Sequence, residues 1–225
     1  PKLIEKVEPS VVRISVECFS NEGAIGSGFL FRDNSTILTN YHVVENAKRV
    51  FVEFEDSTKR RALGTVYLNP GRDLAVLRID SPHPTAKPLM LSGGDPRKGQ
   101  KAIAFGAPRK LSFSVTEGIV SAVRTQEELK KIGIDFGHDV TWVQTTATIA
   151  GGSSGGPLVN QRGEVIGVNT LGIRNQDGLN FAVSVKDLPA AKSLSIDAEP
   201  FAKSSSNVSG QIEDVLRGFL PGNND

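Results

Sequence analysis

The sequence predicts an all-β protein built as two six-stranded β-barrels, and three observations predict it. Short apolar or alternating runs recur along the chain, separated by Gly, Pro, Asn and Asp, which is the pattern of half-buried strands joined by turns. The runs form two series of six, divided by a Pro/Gly-rich connector that starts at Ser81-Pro82-His83-Pro84 and ends at Gly99. Closing each series on itself hides the strand edges that an open sheet would expose.

Taken in order, the first series is expected near residues 11–18, 25–32, 35–39, 50–54, 60–68 and 73–79. The second is expected near 100–105, 113–123, 141–146, 156–160, 164–170 and 178–184. This assigns residues 1–90 to an N-terminal barrel, 91–186 to a C-terminal barrel and 187–225 to a tail. Residues 124–140, with Gln126-Glu127-Glu128-Leu129-Lys130-Lys131-Ile132, read as a mobile loop carrying one helical turn. The tail is rich in Ser, Lys, Ala and Pro and reads as solvated, with a patch at Ile212, Val215, Leu216 and Phe219 that fits one short docking helix. No sequence repeat relates the two halves.

Composition bounds the function classes. With 225 residues, 38% of them hydrophobic, the chain buries a substantial core without a metal or disulfide staple. Its 26 basic and 25 acidic residues are interspersed, so there is no electrostatic footprint for nucleic acid or a membrane surface. Cys18 is the only cysteine, which excludes an internal disulfide, and no stretch is long and apolar enough to cross a bilayer.

The chemistry centres on Gly151-Gly152-Ser153-Ser154-Gly155-Gly156-Pro157, just before a strand-like Leu158-Val159-Asn160. Glycines on both sides of a serine let the backbone fold tightly, so that a hydroxyl is presented and nearby N–H groups converge on one spot. Acyl transfer needs that pairing of nucleophile and oxyanion donors. A weakly nucleophilic hydroxyl also needs a base, and the base needs an orienting group. His42 lies just past the strand-like Ile37-Leu38-Thr39, and Asp73 heads the run Leu74-Ala75-Val76-Leu77. The chain order His42, Asp73, Ser154 is that of the chymotrypsin-type triad.

These residues and their flanks resemble the trypsin-like serine proteases, and more narrowly the HtrA/Deg family. The resemblance runs from about residue 7 to 185. It rests on Gly26-Ser27-Gly28-Phe29, Thr39-Asn40-Tyr41-His42-Val43-Val44, Arg72-Asp73-Leu74-Ala75-Val76-Leu77, Ser154-Gly155-Gly156-Pro157-Leu158-Val159-Asn160, Gly163-Glu164-Val165-Ile166-Gly167-Val168-Asn169-Thr170 and Asn180-Phe181-Ala182-Val183-Ser184. It implies the trypsin-like fold, with the active site in the cleft between barrels. His42, Asp73 and Ser154 would be catalytic, and the Gly152 and Ser154 N–H groups would form the oxyanion hole. Thr148 would lie at the base of the primary specificity pocket, with Leu171 and Ile173 in its wall. Asn169, Thr170 and Leu171 would pair with substrate backbone. An uncharged Thr148 argues against a preference for Arg or Lys and for small or medium apolar residues at the cleaved bond.

By the same resemblance the protein would need no cofactor or metal and would act on unfolded or flexible polypeptide in protein quality control, in a periplasmic, extracytoplasmic or organellar setting. The resemblance also implies a homotrimer, against which stands the start Pro1-Lys2-Leu3-Ile4, without the aromatic residues that often pack such trimers. About 40 residues after the second barrel are too few for the PDZ domain that usually follows in such proteases. Ser153 excludes zymogen activation through an aspartate before the nucleophile, which leaves residues 124–140, 148–153 and 171–177 as candidate switch loops. The run 146–154, Thr-Ala-Thr-Ile-Ala-Gly-Gly-Ser-Ser, departs from the usual Asp-Ala-Ala-Ile-Asn-Pro-Gly-Asn-Ser, and Gly151 in place of proline loosens the loop. That loop keeps open an alternative, a polypeptide-binding or chaperone-like module with a latent active site. Elsewhere, Gly23, Gly26 and Gly28 read as a barrel turn, His83 and His138 as exposed, and Cys18 as a core or edge residue.

Overall fold

A computed structural model describes residues 2–20, 22–107, 113–172 and 179–203. The chain opens with one short helix, α1 (Lys2–Val7), and then lays down six strands: β1 (Val11–Cys18), β2 (Gly23–Leu30), β3 (Thr36–Thr39), β4 (Ala47–Phe54), β5 (Lys59–Asn69) and β6 (Leu74–Ile79). A single helical turn, α2 (Tyr41–Val44), separates β3 from β4. The second half contributes β7 (Lys101–Gly106), β8 (Ser114–Thr125), β9 (Thr141–Thr145), β10 (Pro157–Val159), β11 (Val165–Gly172) and β12 (Asn180–Ser184), with a helix α3 (Gln126–Lys130) after β8. Each expected strand is present, displaced by a few residues at its ends.

Both series close into antiparallel barrels, in the order β1-β2-β3-β6-β5-β4 and, read the same way round, β7-β8-β9-β12-β11-β10. The two barrels therefore share one topology despite unrelated sequences. Alternation decides the inner face. In β4, Val50, Val52 and Phe54 are buried while Arg49 and Phe51 face out. One apolar cluster fills the first barrel around Ile14, Ile37, Val52 and Leu77, and another fills the second around Val120, Val143, Leu158 and Ile166. A third joins the two barrels through Phe29, Leu38 and Leu74 on one side and Phe105, Trp142, Val159 and Phe181 on the other. Each such side chain contributes about 1.5–3 kcal/mol by leaving water, so the apolar seam fixes how one barrel sits on the other.

Three readings need correction. Gly23, Gly26 and Gly28 lie inside β2, not in a turn. Gly26 and Gly28 permit close approach there: a Cβ at Gly26 would lie 2.6 Å from the Val43 side chain, and one at Gly28 would lie 2.7 Å from Ile37. The segment 124–140 is packed, not loose. Thr125 and Glu128 form a reciprocal capping box at the start of α3, while Leu129, Ile134, Phe136 and Val140 are buried. Trp142 Nε1 donates to Gln126 Oε1 at 2.8 Å, which ties the segment to β9. The described part of the tail is mostly exposed, as a solvated tail would be, but it does not run free: it returns to the first barrel. Glu199 pairs with Thr65 in β5, and Ser195 N–H donates to the Val66 carbonyl at 2.7 Å. The patch at 212–219 lies outside the described residues.

Candidate active site

His42 is placed by sequence-local means. Asn40 enters extended and α2 then makes a single turn, whose Tyr41, Val43 and Val44 are buried and leave His42 half-buried at the barrel junction. Asp73 ends a different device. Asn69 Oδ1 accepts from the Arg72 N–H, Pro70 stands in the first turn, and the short 3-10 segment Pro70–Arg72 closes on Asp73. Asp73 takes a left-handed conformation with φ 51°, which aspartate tolerates better than most residues, and its side chain is fully buried.

The two meet directly. One Asp73 oxygen accepts from the His42 backbone N–H at 2.9 Å and the other faces His42 Nδ1 at 2.8 Å. A carboxylate only accepts, so Nδ1 carries the proton and Nε2 is left as the basic nitrogen. Burial opposes charge on His42, but the Asp73 carboxylate, its hydrogen bond and Glu45 more than offset it, and the pKa stands above the ordinary imidazole value. Asn40 Nδ2 donates to the Asp73 carbonyl at 2.9 Å and to Thr170 Oγ1 at 3.2 Å, so it bridges the two barrels behind the pair.

Ser154 arrives from the second barrel in the turn before β10. Gly152 and Gly155 have φ of 94° and 87°, values that favour glycine, and a Cβ on Gly155 would overlap the Ser27 carbonyl oxygen. Among the described residues no acceptor meets the N–H of Gly152 or Ser154, so both remain available as donors. The Ser154 hydroxyl donates to the Thr170 carbonyl at 2.9 Å. Ser153 lies against Gly106 in β7, where even a Cβ would come within 2.7 Å of the Ser153 Cβ.

Around this centre, Thr148 is exposed, and its carbonyl accepts from Thr116 Oγ1 at 2.7 Å. Ile149 and Leu171 are buried beside the loop. Asn169 is withdrawn from substrate pairing: its N–H and carbonyl are bonded to Gly156 and Gly155, and its side chain donates to the Phe105 carbonyl at 2.9 Å. A register shift between Asn169 and Leu171 leaves 170–172 as the segment that could receive an added strand. Ile173 and most of the loop 171–177 lie outside the described residues.

The remaining candidates have ordinary roles. His83 and His138 are both buried, contrary to expectation. Each packs near an aromatic ring, a placement that no sequence pattern announces: His83 beside Phe54 and His138 beside Trp142. His83 Nε2 also meets Asp56 at 3.1 Å. Burial pushes the His138 pKa down, with the Asp73 charge opposing, and the Asp139 N–H on the Gly71 carbonyl docks this segment on the turn that carries Asp73. Cys18 is half-buried at the end of β1, where burial and then Glu22 raise its pKa and suppress the thiolate. Among the described residues no three His, Cys, Asp or Glu side chains converge as a metal site, and no helix is long and apolar enough to cross a membrane. Asn40 and Ser27 carried no assigned role in the sequence, although both lie in motifs that bear the resemblance.

Residues 26–168, more than half of the chain, match the model of the trypsin-like peptidase domain. The chain is 39% identical over 186 residues to serine protease HTRA1B of Danio rerio, covering 80% of this chain and 38% of that protein. It is 37% identical over 187 residues to the mitochondrial serine protease HTRA2 of Bos taurus, covering 80% of this chain and 40% of that protein. Thus it spans about two fifths of the length of these curated relatives. Among solved structures it resembles the serine endoprotease from Yersinia pestis, with 31% identity, a TM-score of 0.69, and coverage of 82% of this chain and 62% of that one. The HtrA-type protease AlgW, solved with a tripeptide, gives 31% identity and a TM-score of 0.70, covering 82% of this chain and 59% of that one.

Proposed function

The chain belongs to the trypsin-like peptidase family as an HtrA-like member, and on that premise we propose that it is the protease domain of a serine endopeptidase that cleaves unfolded or flexible polypeptide through an acyl-enzyme. The observation that carries this reading is the double grip of Asp73 on His42, at the backbone N–H and at Nδ1. That grip leaves Nε2 free for the one task a serine nucleophile requires of its base.

In this reading Ser154 Oγ attacks the scissile carbonyl while His42 Nε2 takes its proton. Asp73 stabilises the imidazolium, and the N–H groups of Gly152 and Ser154 hold the developing oxyanion. His42 then returns the proton to the leaving amine, and water repeats the sequence to free the acyl group. An extended substrate would add a strand along 170–172, presenting a backbone N–H to the Thr170 carbonyl. That carbonyl now holds the Ser154 hydroxyl, so strand addition would release Ser154 toward His42. The same hydrogen bond favours a second reading, a resting state that is latent until polypeptide binds. With Thr148 uncharged and Ile149 and Leu171 nearby, the preferred residue at the cleaved bond is small or medium and apolar, with loose selection, since a methylene discriminates by only about 1–3 kcal/mol.

Digestion of reduced casein by the protein and by Ser154→Ala, with cut sites mapped by mass spectrometry, tests this. Cuts after Val, Ala, Ile or Leu that fall at least ~10³-fold in the variant are expected. Equal cutting by both proteins would remove Ser154 from the reaction, and cuts clustered after Arg or Asp would refute the pocket assignment.

A further inference from the structure

We infer that Ser27, in β2 of the first barrel, is a positioning residue for the oxyanion hole: its hydroxyl fixes the Gly152 carbonyl, and through it the orientation of the Gly152 N–H. This rests on the reading of Ser154 as the nucleophile.

Ser27 is fully buried, and its hydroxyl and backbone N–H are engaged across the barrel junction. The Ala107 N–H donates to Ser27 Oγ at 2.8 Å, and Ser27 Oγ lies 2.7 Å from the Gly152 carbonyl oxygen. A hydroxyl has one proton. Because the Ala107 N–H occupies an Oγ lone pair, that proton is directed at Gly152 and has no competing acceptor in the set. The backbone of the same residue acts on the nucleophile, since the Ser27 N–H donates to the Ser154 carbonyl at 2.8 Å. Ser27 is itself braced from behind, where Thr39 Oγ1 donates to its carbonyl at 2.7 Å. One residue of the first barrel therefore holds the carbonyls of both proposed oxyanion donors.

The loop gives a reason for such an anchor. Gly151 is exposed and a Cβ there would meet nothing within 4 Å, so no side chain restricts the peptide between Gly151 and Gly152 and the space beside Gly151 is open. Gly152, with φ 94°, is equally free of a side chain. Two consecutive glycines can rotate the intervening peptide and carry the Gly152 N–H away from the hole. On the far side of Gly152 the Ser153 N–H donates to the Ala150 carbonyl at 2.9 Å, while the Gly152 carbonyl is pinned by Ser27. Those two bonds fix the plane after Gly152 and so limit the rotations open to the plane before it. An oxyanion donor aimed in advance stabilises the transition state more than the bound substrate.

The test compares the protein with Ser27→Ala and Ser27→Cys; the second is nearly isosteric and keeps a weak donor, so it guards against a folding defect in the first. Active sites are counted with a fluorophosphonate. Then kcat and KM on a fluorogenic peptide, the Ki of a peptide aldehyde that forms a tetrahedral adduct, and the acid limb of the pH profile are measured per active site. For Ser27→Ala the expectation is a kcat loss of about 10²-fold, an aldehyde Ki raised by a similar factor, and KM within about threefold. Ser27→Cys should fall between, and the acid limb should stay, because the His42–Asp73 pair is untouched. A kcat per active site within threefold of the parent overturns the inference, as does an equal loss in KM and aldehyde affinity, which would mark a packing role alone. A parent protein that neither labels nor cleaves would instead overturn the assignment of Ser154, and with it this inference.

Discussion

The two halves of the site are held in opposite ways. The His42–Asp73 half is assembled within one barrel: a helical turn with three buried residues, a capped 3-10 segment, and a carboxylate bonded twice to its partner. The Ser154 half hangs on a glycine loop with open space beside Gly151, and its fixed points are Ser27 in the first barrel and Asn169 and Thr170 in β11. This asymmetry locates where regulation can act. A base and its orienter held within one barrel persist as long as that barrel is folded, whereas a nucleophile loop held in part by hydrogen bonds across the barrel junction can change state without unfolding either barrel.

The comparison breaks most visibly at Asp73. Asp73→Asn keeps the shape but supplies an amide that favours the wrong histidine tautomer, and kcat should fall about 10⁴-fold with the melting temperature nearly unchanged. A loss below about tenfold would show that the first-barrel half does not orient the base. Gly155→Ala probes the other half through stability. The new methyl would overlap the Ser27 carbonyl and Thr39, and the residue would be left at φ 87°, so a cost of roughly 2–5 kcal/mol is expected. Chemical denaturation reads it, and a change under 1 kcal/mol would mean that the loop yields more readily than its contacts indicate.

The smallest effect lies in pH. His42 has its pKa raised above the usual value of about 6.5, so the acid limb of kcat/KM should lie above that pH. Asp73→Asn should move the limb down. For folding the sign is the reverse of the carboxylate case: the stabilisation from protonated His42 is fully present below the unfolded pKa and is lost as pH rises through the folded pKa. A limb at or below the usual value would show that burial outweighs Asp73.

Much of this was legible in one dimension. Strand positions followed from alternation and turn residues, and the three chemical residues stood in motifs whose flanks matched a family. What misled were features whose meaning depends on distant partners. His83 and His138 look exposed in sequence yet sit against Phe54 and Trp142. The 124–140 segment looks loose, but its Leu129, Ile134 and Phe136 fall on the apolar seam between barrels. Asn169 stood in a plausible substrate strand, although its backbone is already spent on Gly155 and Gly156.

The sequence alone determined the all-β class, the count of strands and the order His42, Asp73, Ser154, because periodicity and turn chemistry act over a few residues. Only the tertiary structure decided that both halves adopt one barrel topology, that the tail returns to β5, and that Ser27 lies across 125 positions of chain from the carbonyl it holds. The reason is physical: a hydrogen bond or an apolar contact depends on distance in space, and chain closure over such separations leaves no local pattern in the residues between.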